Sequence, residues 1–284
     1  MKFFCTYGDM KYENEKKRIL DEAERTLQFD GLFAYGPCDL SERVKASILM
    51  SYSRGGGLWV WKPEVILKTM QSLKDGDILV YCDAGCTLAK SKEWKRLWGI
   101  LGEYDIVAQR LFQKNEKWTR KEIVDYFHFG DTSWMKCYQY QATIILKVSE
   151  FTRSFVEEWL DVMLRFPVFV MDVNGYEREM QYDAFVENRH DQAVYSALLY
   201  KYMVRTQTCK KIYTMWERME DYDFFHKQAI RATRIKTGVS QESKAKQWLK
   251  RIVKHSIIRP LYYAPLQKLY FGKFIKEMKN EKEY

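Results

Sequence analysis

The sequence predicts an α/β fold with a mixed, mostly parallel central sheet flanked by helices, and three observations predict it. Strand-like and helix-like segments alternate over roughly 220 residues. The strand segments are short, apolar and rich in β-branched residues, as strands covered on both faces are. The chain of 284 residues is 46% hydrophobic and 30% charged, enough to bury the core of one large α/β domain.

The elements follow in order. "KFFCTY" reads as a first strand, ended by Gly8-Asp9. Glu13 to Phe29 carries Ile19, Leu20, Ala23 and Leu27 at helical spacing. Ser41 to Tyr52 predicts a second helix with Ser41 as its cap. "SRGGGLWVWKP" interrupts the pattern, and Pro63 then suits the first turn of the helix "PEVILKTMQSLK". Asp75–Asp77, "DGD", is a turn before the strand "ILVYC". A helix over Lys92–Leu101 and a strand over Asp105–Leu111 come next, and Thr119 with Glu122 forms a capping-box pattern before "IVDYF". "ATIILKV" is a strand, Ser149 caps a helix running to Arg165, Asp191–Met203 is another helix, and "KKIYTMW" a last strand. In such sheets ligands bind beyond the carboxyl ends of the strands, which puts Thr6, Tyr7 and Asp83 on one edge if their strands are parallel neighbours.

The net charge is +9, unevenly spread. Residues 244–284 hold 11 Lys+Arg against three Asp+Glu, so the tail carries +8 and the preceding chain is near neutral. This divides the chain into a domain over 1–240 and a basic segment over 241–284. Six scattered cysteines make no zinc-type spacing, and Cys5 and Cys82 fall inside apolar strands, as reduced thiols would. The apolar start is too short for a signal peptide, and no apolar run is long enough to span a membrane. A cytoplasmic location is the expectation.

Three stretches carry chemistry. In "YCDAGC", Asp83 ends an apolar strand beside Ala84 and Gly85, which let a ligand approach the backbone closely. A carboxylate there can accept from a ribose hydroxyl or hold a metal on a diphosphate. The bland alternative, a cap for the following helix, places Asp83 several residues too early. In "SRGGGLWVWKP", Arg54 and Lys62 flank a glycine run, a combination that suits a diphosphate; the alternative is an ordinary loop with Trp59 or Trp61 in the core. In "ENRHDQAVYSALLYKY", His190, Asp191 and Gln192 open a helix, where they can position a sugar hydroxyl or complete a metal shell; Asp191 alone would serve as a cap. His128 and His226 stand alone and read as structural or surface residues.

Together "RGGGLWVWKP", "DGDIL", "YCDAGC" and "NRHDQA" resemble a family of bacterial glycosyltransferases from polysaccharide gene clusters, whose pattern runs close to "RGxGYWxWKP…DGDillYlDAGC…HRHDQS". The resemblance runs from the first strand to about Met203 and leaves out the basic tail. It implies a GT-A-like fold and a hexosyl-type transfer from a nucleoside-diphosphate sugar to a growing cell-surface polysaccharide or lipid-linked glycan. It implies a donor site at Thr6, Tyr7, Arg54, Lys62, Asp83, Ala84 and Gly85, and catalytic roles for Asp191 and Gln192. Asp191 would be the general base of an inverting enzyme; the "DQ" pair is similar to one in several retaining families. The family's fold implies a divalent metal, Mn or Mg, at Asp83 and His190. One departure bears on it: the second Asp of Asp-x-Asp falls on Gly85. Either Asp83, donor phosphates, water and His190 hold the metal, or Arg54 and Lys62 neutralise the diphosphate without one.

The tail mixes cations with Trp248, Leu249, Ile252, Val253 and Ile257 near helical spacing, broken by Pro260. It suits an anionic membrane surface through residues 244–284, placing the protein on the inner face of the cytoplasmic membrane. The alternative is a helix packed on the domain; nucleic acid is not expected as a partner. The competing functions are a non-enzymatic membrane- or nucleic-acid-binding protein, which has no use for Asp83, and a sugar nucleotidyltransferase, whose glycine- and Arg/Lys-rich N-terminal loop "TYGDMKYENEKKR" does not supply.

Overall fold

The computed structural model describes residues 1–130, 132–206, 210–215, 228–233 and 264–280. Its frame is a seven-stranded sheet of β1 (Lys2–Tyr7), β2 (Gly31–Tyr35), β3 (Ile78–Tyr81), β5 (Ile106–Lys114), β6 (Tyr138–Tyr140), β7 (Ile144–Lys147) and β8 (Ile212–Met215). The order is β2-β1-β3-β7-β5-β6, with β8 also on β5. β1 pairs in parallel with β2 and β3, and β5 with β8. β7 is antiparallel to β3 and β5, and β6 to β5. The sheet is therefore mixed, with most strands running one way. A small ribbon joins β4 (Thr87–Leu88) to β9 (Ile230–Arg231).

Alternating side chains leave the sheet on opposite faces, and both faces are buried here. Cys5, Leu79, Tyr81, Ile144 and Leu146 enter one core; Phe4, Val80, Cys82 and Ile145 enter the other. That is why the strands read as continuous apolar runs. Helices α1 (Glu13–Thr26) and α3 (Glu93–Glu103) cover the second core through Ile19, Ala23, Trp94 and Leu97. Helices α2 (Trp61–Gln71), α4 (Glu150–Arg165) and α5 (Asp191–Arg205) cover the first.

Two local expectations are corrected, and one strand went unread: β2, an apolar run at the sheet edge with only Tyr35 buried. Ser41 does cap, but only Glu42–Lys45; Ser47 accepts from Leu49 N–H and starts a separate turn, dividing the expected Ser41–Tyr52 helix. The Thr119–Glu122 box does not form. Arg120 is the cap residue of Lys121–Tyr126, and its guanidinium takes both oxygens of Glu122.

Part of the tail packs on the domain. Its helix α6 (Ala264–Asn280) buries Phe274 edge-on against Phe129 and Tyr200, centroids 5.3 and 5.8 Å away. Ser133 N–H and Oγ both donate to the Glu277 carboxylate at 2.8 Å. The amphipathic stretch Trp248–Ile257 and His226 lie outside the described residues. No described helix is long and apolar enough to cross a membrane.

Candidate functional site

β1 and β3 end side by side, with Cys5 opposite Tyr81, so Tyr7 and Asp83 do meet at one edge. The turn that follows β3 is fixed from two directions. Cys86 N–H donates to the Asp83 carbonyl, and Arg18 from α1 donates to the carbonyls of Ala84 and Cys86 at 2.8 and 2.7 Å. Asp83 stays about half exposed beside this turn. Thr6 does not reach the cleft: it is fully buried, and its hydroxyl donates to the Cys82 carbonyl.

The glycine run is a left-handed turn. Gly55, Gly56, Gly57, Leu58 and Trp59 all hold positive φ, from +50° to +102°, and Leu58 and Trp59 N–H donate four residues back to Arg54 and Gly55. A β-carbon on Gly55 would stand 2.5 Å from the Trp59 ring, and one on Gly57 2.5 Å from Met50 Sδ. For Leu58 and Trp59 this backbone costs about 1–2 kcal/mol each. The turn reverses the chain and aims two indoles. Trp61 donates Nε1–H to the Gly55 carbonyl and stacks on Tyr7 at 4.0 Å. Trp59 packs on the His190 imidazole at 5.0 Å.

The result is a cleft of two lobes sharing Trp59, Asp83 and Gly85. An aromatic lobe of about 430 Å³ is walled by Tyr7, Tyr12, Trp59 and Trp61, with Asp9, Lys11 and Ala84 on its lining. A polar lobe of about 300 Å³ is lined by Arg54, Lys62, Gln141, Thr143, Arg189, His190, Asp191 and Gln192.

Lys62 is the electrostatic centre. It sits in the first turn of α2, its side chain 3% exposed, with Nζ 2.7 Å from Asp191 and 3.3 Å from Asp83. Burial alone would push the ammonium's pKa down; Asp191 and Asp83 outweigh it and hold it above the ordinary lysine range. Asp191 is buried in turn, and burial holds its carboxyl above the usual aspartate value although Lys62 opposes this. Tyr81 Oη donates to Asp83 Oδ1 at 2.7 Å.

A second set of contacts ties the polar lobe to the 166–190 segment. Arg54 pairs with Asp172 and, at 2.7 Å, with Glu187. His190 Nδ1 donates to the Val170 carbonyl at 2.7 Å, which leaves Nε2 buried without a hydrogen bond and 3.6 Å from Asp172. His190, not Asp191, is the cap residue of α5, at φ +50° and ψ −126°. The Gln192 N–H reaches back to the Arg189 carbonyl, giving a tight turn with His190 where glycine is usual. The Gln192 amide donates to Gln139, and the Arg189 guanidinium lies 4.3 Å over Trp118.

The expected donor and catalytic residues thus converge, Thr6 excepted. Arg54 and Lys62 do so as ion-paired groups rather than as open cations. Sequence reasoning missed the aromatic wall of Tyr12 and Trp61, and Gln141 and Thr143 between β6 and β7. Only an aromatic content of 16% hinted at the first; the second had no local signal.

A divalent cation wants several oxygen ligands. Gly85 offers no side chain, Asp83 is already faced by the Lys62 ammonium, and the carboxylate beside His190 is held by Arg54. Among the described residues no group of three or more His, Cys, Asp or Glu could hold a metal. Asp83 and His190, the expected metal residues, both line the polar lobe, but among the described residues their side chains alone do not make a set that fits Mn or Mg.

No protein-family model and no curated relative matches the chain. Among solved structures it is similar to the galactosyltransferase LgtC in complex with donor and acceptor sugar analogs, at 16% identity over 69% of this chain and 70% of that one, TM-score 0.39. It is similar to a glycosyltransferase involved in glycosylation of the major capsid of PBCV-1, at 7% identity over 76% and 82%, TM-score 0.40. It is also similar to the glycosyltransferase GlyE of Streptococcus pneumoniae TIGR4, at 10% identity over 96% and 64%, TM-score 0.41. All three overlaps are partial.

Proposed function

We propose that the chain is a glycosyltransferase of GT-A-like layout. It moves a sugar from a nucleoside-diphosphate donor to a hydroxyl of a growing cell-surface polysaccharide or lipid-linked glycan. The observation that carries this is the two-lobed cleft at the carboxyl ends of β1 and β3, aromatic on one side, polar on the other, joined at Asp83–Ala84–Gly85. The motif resemblance supports the same reading.

The nucleoside occupies the aromatic lobe, where Trp59 and Tyr12 offer apolar faces and the exposed Asp83 oxygen accepts from ribose hydroxyls. The diphosphate crosses at Ala84–Gly85, where small residues admit it close to the backbone. The sugar enters the polar lobe against Asp191 and Gln192. As the bond to the diphosphate breaks, charge develops on the leaving oxygen, and a fixed, buried cation stabilises it without reorganising. Lys62 has that character. Asp191 serves an inverting reaction as general base for the acceptor hydroxyl; in a retaining reaction Gln192 lines the donor face. Residues 244–263, with six cations and no acidic residue, bring the enzyme to an anionic membrane carrying the acceptor.

The test is a thermal-shift screen of UDP-, GDP- and dTDP-sugars followed by transfer assays. A native-state ligand raises the melting temperature. Asp83→Ala should abolish transfer while the chain stays folded, because Asp83 is half exposed and Lys62 keeps Asp191. No shift with any donor and no donor hydrolysis would sink the reading.

A further inference from the structure

We propose that this site binds its nucleoside diphosphate without a divalent metal, with the Lys62 ammonium as the fixed cation in the metal's stead. The inference rests on the donor reading above. Among the described residues four carboxylates stand around the polar lobe, and the protein's own cations hold all four. Lys62 takes Asp83 and Asp191; Arg54 takes Asp172 and Glu187. A metal bound at the other Asp83 oxygen would stand on a carboxylate that already has an ammonium 3.3 Å from its Oδ1. Lys62 cannot yield that place. Its side chain is buried, and Asp191 anchors it at 2.7 Å.

The same arrangement gives Lys62 a use. An ammonium has three donors, more than its two ion-pair partners Asp191 and Asp83 need. Lys62 lines the polar lobe, where a phosphate oxygen can accept from it. Gly85 suits this state: with no side chain there, no second carboxylate repels the diphosphate.

Calorimetry on the full chain decides, with UDP-glucose, GDP-mannose and dTDP-glucose as probes, once in EDTA and once in Mn²⁺. The expected result is a probe whose Kd in EDTA stays within about tenfold of its Kd in Mn²⁺. Binding that needs Mn²⁺, or weakens more than this in EDTA, overturns the inference and leaves the donor reading standing. No binding under either condition removes both. Folded Lys62→Met should lose about tenfold or more of the EDTA affinity, and Lys62→Arg should keep part of it. An unchanged Kd in folded Lys62→Met overturns the role given to Lys62. If Lys62→Met does not fold, the wild-type comparison in EDTA still decides.

Discussion

The Trp59 ring packs on the His190 imidazole with centroids 5.0 Å apart, and both residues hold positive φ, +61° and +50°. Two strained backbones from distant parts of the chain thus meet at the wall between the two lobes. Strain of this kind persists only where surrounding packing over-determines it, and it gathers at functional sites. The turn over Gly55–Trp59 is what holds Trp59 there.

Gly55→Ala tests that turn. The new β-carbon would lie 2.5 Å from the Trp59 ring at φ +60°. Gly76, also at positive φ, has nothing within 4 Å of its β-carbon and so reports backbone strain alone. Urea denaturation should show Gly76→Ala losing about 1 kcal/mol and Gly55→Ala about 1–3 kcal/mol. Only Gly55→Ala should also lose donor binding. Equal losses, with binding intact in both, would mean that the indole's placement does not depend on the turn.

Lys62 and Asp191 should show strong coupling. Removing one partner of a buried pair leaves an uncompensated charge, at about 3–5 kcal/mol, whereas removing both is far milder. Lys62→Met should therefore be clearly less stable than Lys62→Met/Asp191→Asn. Asp83 is half exposed and can fall back on water in either variant. A double-mutant cycle by chemical denaturation checks this, and additivity of the two single changes would contradict the pairing.

Asp191 also predicts a pH dependence. Its folded-state pKa is raised by burial, with Lys62 pulling the other way. For an acid with a raised pKa the fold favours the protonated form. That stabilisation is full below the ordinary aspartate value and is lost as pH rises through the raised one. Melting curves of wild type minus Asp191→Asn should carry this falling limb in the acid range. If Asp191 is the general base, transfer should fall on acidification at a pH above the ordinary aspartate range.

The sheet edge was legible in the sequence because a buried strand ending on a carboxylate follows from local pattern alone. The partner of Lys62 was not. A lysine soon after three glycines suits a diphosphate, and nothing near it in the chain indicates Asp191, which only the packing of both α2 and α5 on α4 brings within reach. The glycines announced a turn. That Leu58 and Trp59 would continue it left-handed did not follow, since both residues disfavour that backbone and tertiary contacts decide it. Thr6 shows the opposite limit: period two placed it at the right strand end but could not say that its hydroxyl would close on Cys82.

The tail gives the last prediction, because its charge and its packing point different ways. A basic amphipathic segment suggests a membrane surface, yet Phe274 of α6 is fully buried against Phe129 and Tyr200. Phe274→Ala removes a buried ring and should cost about 3–5 kcal/mol in urea denaturation. If the six cations of residues 244–263 serve a membrane and not the domain, neutralising them should leave that stability within about 0.5 kcal/mol. It should release the protein from vesicles of anionic lipid in a sedimentation assay. Separate effects would assign the domain contact to α6, which docks through its aromatic ring, and the membrane role to the cations. Equal destabilisation by both would mean that the whole tail is part of the domain, and the membrane role would fall with it.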